Sequence, residues 1–354
     1  VQYIFKNKMS EYSKEITKNI KTTEDTNMLS RFLSRQRSTL LAAAFASTLT
    51  AGMAQAANDQ IHFLVPGGAG GGWDGTARGV GEALTKSGLI ERASFENLSG
   101  GGGGKAIANL IEKADQSHGT LMVNSTPIVI SSLSKVFPQS FRDLKPIAAV
   151  VGDYGAFVVP TSSKYMTFQD VVNDFKNDPR SVAVAGGSAR GSMDHLVAAM
   201  AFKAAGGDAR RLKYVAYDAG GTAMAGILSG EAHLLSTGFS EAVVLANAGE
   251  VRILAITGDE RSATAPDVPT LKELGYDASF LNWRGFFGAP TLSDEQADEY
   301  ANLLSKMYET DEWKVVRDRN GWTEVFKPRA DFVAFLENQE TVIGDLMREL
   351  GFLK

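Results

Sequence analysis

The chain has 354 residues, 44% of them hydrophobic and none of them cysteine, with 36 Lys/Arg against 41 Asp/Glu for a net charge of −5. That length can bury a large core, or two, and the lack of cysteine excludes disulfides and thiolate metal sites. The four histidines, His62, His118, His195 and His233, are scattered without ligand spacing, which argues against zinc.

From Met28 the sequence places a basic segment (Arg31, Arg35, Arg37) before an apolar run, Leu40 to Met53, and then Ala54-Gln55-Ala56. This is the order of a secretory signal with its A-x-A cleavage site. The run falls short of the roughly 20 strongly apolar residues that a membrane span needs. Residues 28–56 are therefore expected to be a signal peptide cut after Ala56, and 1–27 an upstream extension without function. Removing 1–56 takes away eight Lys/Arg and four Asp/Glu, leaving 28 basic against 37 acidic residues, a net charge of −9. No basic run with interleaved aromatics survives, so a nucleic-acid partner is not expected. Local donors can still hold an acid on an acidic protein, because they outweigh the global field at contact distance.

After Ala57 short apolar runs alternate with helical patterns. Strands are predicted at 61–65, 93–97, 120–124, 147–159, 181–185, 213–217, 232–236 and 252–257, and helical periodicity at 76–86, 105–113, 195–205 and 223–228. Strands separated by helices predict an α/β fold of parallel sheets covered on both faces, with ligands at the carboxyl ends of the strands. Pro146 to Pro160 is too long for an ordinary strand and reads as a crossing between two lobes; Asn282 to Pro290 reads as the second crossing. Ser293-Asp294-Glu295-Gln296 is a capping box that opens the C-terminal helices. The division is lobe 1 at 57–154 plus 284–354 and lobe 2 at 155–283, two Rossmann-like lobes joined by two crossover strands.

Glycine crowds the strand ends. Ile61 to Arg78, IHFLVPGGAGGGWDGTAR, carries six glycines between a strand and a helix. Gly70-x-Gly72-x-x-Gly75 fits the dinucleotide fingerprint, with Glu96 near the place of a ribose-binding acid. The alternative reading is therefore an NAD(P)-dependent oxidoreductase, although an exported chain meets little NAD. Ser99 to Ala106 fails as a P-loop, lacking its first glycine and its Ser/Thr. Gly186 to Arg190 misses the nucleophile elbow at its last position, and Ser192, Asp194 and His195 do not make a triad by adjacency. Neither an enzyme nor a cofactor nor a metal is expected. What remains is anion binding. Glycine bares backbone N–H groups, the following helices point their positive ends the same way, and Thr126, Ser188, Ser192 and Thr237 add hydroxyl donors.

These residues carry a resemblance. Pro66-Gly67-Gly68, Gly71-Gly72-Trp73-Asp74 and Ala77-Arg78 resemble the solute receptors of tripartite tricarboxylate transporters, the Bug receptors. So do Asn97, Gly100, Gly102-Gly103, Gly187-Ser188, Gly191-Ser192, His195-Leu196, Gly238-Phe239-Ser240-Glu241, Gly249, Arg252 to Ala255, Val268-Pro269-Thr270, Glu273, Gly275 and Asn282-Trp283-Arg284-Gly285. They fall in order along nearly all of Ile61 to Lys354, and Gly-Gly-Gly-Trp-Asp and Asn-Trp-Arg-Gly look like the tricarboxylate-type branch. Arg190, Met193 and Asp218-Ala219 depart from that branch, whose loops there are smaller or richer in glycine. The resemblance implies a monomeric periplasmic binding protein of type II-like, two-lobed form. Such a receptor closes like a Venus flytrap on a di- or tricarboxylate such as citrate, or a related organic acid, and delivers it to a membrane permease. The ligand-binding residues it implies, joined to the hydroxyls above, are Gly70, Gly71, Gly72, Trp73, Asp74, Thr126, Ser188, Arg190, Gly191, Ser192, His195, Gly220, Gly221, Thr237 and Glu241.

Several of these also have bland readings. Asp74 suits a helix start paired with Arg78, and His195 suits a loop-fixing hydrogen bond. Glu241 needs a donor or a ligand hydroxyl, and Arg190 is either an ion-pair partner of the ligand or solvated. Trp73 and Trp283 are expected in or near the cleft, whereas Trp313 and Trp322 have the spacing of packing residues.

Overall fold

The structure is a computed structural model that describes residues 60–354. The signal segment 28–56, its cleavage after Ala56 and the extension 1–27 lie outside the described residues.

One mixed ten-stranded sheet runs through the described chain in the order β2-β1-β3-β9-β4-β7-β5-β6, with β10 and β8 also paired to β4. Its first wing contains β1 (Gln60–Val65), α1 (Gly72–Lys86), β2 (Arg92–Asn97), α2 (Gly104–Glu112), β3 (Thr120–Ser125) and α3 (Thr126–Leu133). The central strand β4 (Lys145–Pro160) leads to α4 (Phe168–Asn177) and the second wing. That wing contains β5 (Ala183–Gly186), α5 (Met193–Ala204), β6 (Lys213–Ala216), α6 (Gly220–Leu228), β7 (Leu234–Gly238), α7 (Phe239–Asn247) and β8 (Val251–Ile256). Strand β9 (Leu281–Gly288) returns to the first wing, followed by α8 (Asp294–Tyr308), α9 (Asp311–Asn320), β10 (Thr323–Pro328) and α10 (Arg329–Glu349).

The wings are parallel, as the alternation predicts: β1 with β2 and β3, and β5 with β6 and β7. The centre departs from the all-parallel expectation. β4 pairs antiparallel with β9 and β10 along its first half and with β7 and β8 along its second. It spans 16 residues as one strand with register shifts, so the run too long for an ordinary strand is a single strand shared by both halves of the sheet. Gly152 lies under the Leu281 side chain, where an added Cβ would come within 2.8 Å of Leu281 Cδ1.

Helix α1 shows why the first wing packs as it does. Ala77, Val80, Ala83 and Leu84 form its buried stripe at helical spacing. Against α9, Gly79 leaves room for Val316 and Trp322, at 2.9 and 3.0 Å from where its Cβ would stand. Trp313 and Trp322 pack at a tilt in this interface with ring centroids 6.0 Å apart, the packing role that their spacing suggested. A buried apolar cluster runs from Ile107 and Ile128 of the first wing to Phe168 and Phe202 beside the second. Among the described residues no helix is long and apolar enough to cross a membrane.

Candidate functional site

Five helices begin at the carboxyl ends of strands around one cleft: α1 at Gly72, α3 at Thr126, α5 at Met193, α6 at Gly220 and α7 at Phe239. None of the five is capped by the side chain of its own N-cap residue, although Asn282 Oδ1, Ser188 Oγ and Asp153 Oδ1 accept from the first-turn amides of Thr126, Asp194 and Ser240. Helices α4, α8 and α9 point elsewhere, and the hydroxyls of Thr167, Ser293 and Thr310 cap them. A helix N-terminus carries partial positive charge, and five of them point theirs at the cleft.

The cleft has two adjoining chambers. The first, about 70 Å³, is lined by Gly67, Gly68 and Gly71 to Trp73 on one side and by Gly187, Ser188, Asp194, Gly220 and Glu241 on the other, with Ser125, Asn282 and Arg284 between them. The second, about 120 Å³, lies between Gly100 to Gly103 and the segment Gly187 to Ser192. The Trp73 indole separates them and donates to Ser125 Oγ at 2.8 Å.

Glycine does two jobs here. It bares amides, and it lets loops abut. A Cβ on Gly187 would stand 2.1 Å from Gly220 N, and one on Gly71 would stand 3.2 Å from Ala219 Cβ, across the cleft. Ser99 Oγ donates to the Asp218 carboxylate over the same gap. The side chains of Arg284 and Glu241 lie so close to Gly72 that its Cβ would fall 2.1 Å from Arg284 Nη2 and 2.9 Å from Glu241 Oε1.

Three acids and one cation make the buried electrostatics beneath the loops. Arg284 Nη2 donates to Asp153 Oδ2 at 2.6 Å, with both side chains almost fully buried. Asp153 also accepts from Ser240 N at 3.1 Å and Ser240 Oγ at 2.7 Å. Glu241 accepts from the Thr237 hydroxyl and, at 3.3 Å, from Gly238 N. Burial pushes its carboxyl above the ordinary range despite the nearby Arg284. Asp194 is pushed up to about 8, first by burial and then by the charge of Glu241. Removing a carboxylate from water disfavours its ionised form, and a like charge adds to the effect.

Among the expected site residues, the first chamber brings together Gly71, Gly72, Trp73, Ser188, Gly220 and Glu241, and Ser188 and Ser192 line the second. Thr237 stands behind Glu241 and holds it. Gly221 packs against the Gly70 backbone. Asp74 accepts from Gly70 N at 3.0 Å, Arg78 Nε at 2.9 Å and Asn97 Nδ2 at 3.1 Å, fixing the first glycine loop. Burial alone would raise this carboxyl, but those hydrogen bonds hold it below the ordinary value. Thr126 is buried, and its N–H donates to Asn282 Oδ1 at 3.3 Å. His195 Nδ1 accepts from Gly191 N at 3.0 Å and its ring stacks on Tyr214, with centroids 4.5 Å apart. Burial, helped by Arg190, lowers His195 to about 4, so it is neutral. Arg190 donates to the Tyr214 carbonyl at 2.7 Å.

Trp283 is not at the cleft. It is buried on the other side of β9, with its ring 5.4 Å from Phe332. Strand alternation sends Trp283 one way and Asn282 and Arg284 the other. Sequence reasoning did not place Arg284, Asp153 or Asp194 at the site, although Arg284 stands in the Asn282-Trp283-Arg284-Gly285 match and Asp194 was weighed as part of a triad. The available signal was one arginine inside the otherwise apolar run NWRGFFGAP, and one aspartate inside PIAAVVGDYGAFVVP. Glu96 contacts His62 at the sheet edge, at 3.4 Å, and does not line the cleft.

A cleft ringed by helix starts, at the strand ends of an α/β sheet whose halves share β4, is the architecture of the two-lobed periplasmic binding proteins. The family model described as "Tripartite tricarboxylate transporter family receptor" (TctC) matches residues 76–351, and the chain belongs to this family. The chain is 30% identical over 216 residues to a UPF0065 protein of Bordetella bronchiseptica, covering 60% of this chain and 62% of that one. The match thus spans less than two thirds of that relative's length. Among solved structures, MatC from Rhodopseudomonas palustris with bound malate has a TM-score of 0.72 at 19% identity, covering 81% of this chain and 98% of MatC. An R. palustris protein with adipate has a TM-score of 0.75 at 20% identity, covering 82% of this chain and 97% of the other.

Proposed function

We propose that this protein is a periplasmic receptor that captures a small di- or tricarboxylate, or a related organic acid, in the cleft and delivers it to the membrane permease of a tripartite transporter. The convergence of five helix N-termini on one glycine-lined cleft carries this reading, because aligned helix dipoles and bared amides favour negative charge without needing a free cation. The malate and adipate held by two proteins of the same fold support the ligand class. In this reading Gly71, Gly72, Trp73, Ser188, Ser192 and Gly220 contact the acid, and Asp74, His195 and Thr237 set the loops and side chains that do so. Lobes at 57–154 plus 284–354 and at 155–283 close on the ligand, with β4 and β9 as the hinge.

The test is a thermal-shift panel on protein that has been unfolded, dialysed and refolded to strip bound acid. A ligand at a hundred times its dissociation constant stabilises the folded state by about 2.7 kcal/mol, which raises Tm by roughly 4 °C for a chain of this size. Malate, adipate, citrate and benzoate form the acid arm; NAD, NADP and ATP form the nucleotide arm. A shift with at least one acid and none with the nucleotides is expected. A nucleotide shift with a silent acid arm would transfer the Gly70-x-Gly72-x-x-Gly75 loop to the dinucleotide reading.

A further inference from the structure

An acid-binding cleft lined by acids poses a charge problem. Arg284 is the one cation that lines the first chamber among the described residues, and Asp153 already neutralises it. Asp194, Asp218 and Glu241 line the same small space. A ligand carboxylate would compete with these side chains for the same helix ends, and two or three negative charges would then crowd a chamber of about 70 Å³. In a desolvated site such crowding is relieved by protonation.

We propose that Glu241 and Asp194 determine specificity by meeting the captured acid as a pair that holds one proton between them, the protonated carboxyl donating O–H to an anionic oxygen of the acid, so that anion binding is tied to the proton held by this pair. The inference rests on the receptor reading above. No covalent step is involved: the proton comes from solvent and returns to it on release.

The surroundings fit. Glu241 sits where Thr237 and Gly238 satisfy only Oε2, while Oε1 is turned toward Gly72 at the cleft. Facing the pair are Asp153 and Tyr154 of β4, Arg284 of β9, Tyr214 of β6 and Asp218 before α6, with His195 and Arg190 behind Asp194. The remaining charges nearby are committed elsewhere: Asp74 of α1 to Arg78, and Arg317 and Arg319 of α9 to Glu324 and Glu82. Arg190 forms no ion pair but is turned to the Tyr214 carbonyl, so no unpaired cation lines the first chamber among the described residues to hold both carboxylates ionised beside an anion. The raised affinity of Asp194 for its proton, to about 8, sets the window.

The test is titration calorimetry with malate and adipate from about pH 6 to about pH 9, in buffers of different ionisation enthalpy. Affinity should be level below about pH 7, where the pair already holds its proton, and should weaken about tenfold per pH unit above about pH 8. In the upper range proton uptake should approach one per ligand. Asp194→Asn or Glu241→Gln should remove the slope. A level wild-type affinity across the range, proton release on binding, or a slope that survives in both variants would overturn the proposal. If no acid binds at any pH, the receptor reading fails by itself. The pair is then judged by infrared difference spectroscopy of the unliganded protein at about pH 7. A protonated-carboxyl C=O band that either variant diminishes would sustain the proton-holding pair, and its absence would overturn it.

Discussion

Asp74 and Glu241 stand at the same place in the two halves of the molecule, the third residue of a helix that leaves a glycine-bearing strand end. Their fates are opposite. Asp74 takes three hydrogen bonds, one from a guanidinium four residues on, and its carboxyl is held below the ordinary range. Glu241 has Leu245 four residues on, takes its hydrogen bonds from a hydroxyl and one long amide contact, and is held above that range. Helix position alone does not decide whether an acid is ionised. The number of donors and the availability of a cation do. One acid therefore works as a strut of the first loop, and the other is left as a reactive feature of the cleft.

The severest way to break this contrast is to remove the buried cation. Arg284→Met leaves Asp153 buried without its partner, which should cost about 3–5 kcal/mol and lower the urea midpoint sharply. Arg78→Met tests the opposite side, where the guanidinium is half exposed, and should cost under about 1 kcal/mol. Equal losses would show that the two ion pairs are not as differently placed as the geometry indicates.

Asp74→Ala should come next, at about 2 kcal/mol, since charge-assisted hydrogen bonds to the loop are lost. Glu241→Ala removes fewer bonds and should cost less in denaturant titration at neutral pH. The reverse order would put the strut on the wrong side.

Stability against pH sharpens the comparison further. Asp194, raised to about 8, contributes stability that is complete below its unfolded value near 3.8 and is lost as pH rises through 8. His195, lowered to about 4, contributes stability that is present above its unfolded value of 6.5 and is lost as pH falls toward 4. Their slopes oppose each other between about 4 and 6.5, and Asp194 acts alone between about 6.5 and 8. Tm should therefore decline across the upper interval, and Asp194→Asn should flatten that decline. An unchanged decline in the variant would remove Asp194 from the account.

The smallest effect concerns the loop of the second half. Gly191 has φ of 85° with open space around its Cβ position, so Gly191→Ala should cost about 1 kcal/mol through backbone strain alone. Its amide already serves His195, and a much larger loss of ligand affinity than of stability would show that the amide also serves the acid.

Much of this was legible in the chain. Periodicity gave the parallel wings, because strands of a doubly covered sheet and amphipathic helices such as α1 each carry their own repeat. The spacing of Asp74 and Arg78 announced their pair, since four residues span one helical turn. The glycine clusters marked the cleft, and the resemblance marked the family. Helix α4 also has a local signal, the capping box Thr167 to Asp170, which the periodicity reading missed; β10, six residues of TEVFKP, carries no period long enough to read.

What the tertiary structure alone decided is the charge at the bottom of the cleft. Asp153, Asp194, Glu241 and Arg284 are far apart in sequence, and no local repeat says that they share one buried space. Strand β4 turned out to be antiparallel to its neighbours because the chain must return along it to build the second half and come back. Electrostatics in a buried site depends on distances of a few ångströms and on exclusion of water, and both are properties of the packed chain. A sequence says which residues can carry charge; only packing determines which of them remain charged.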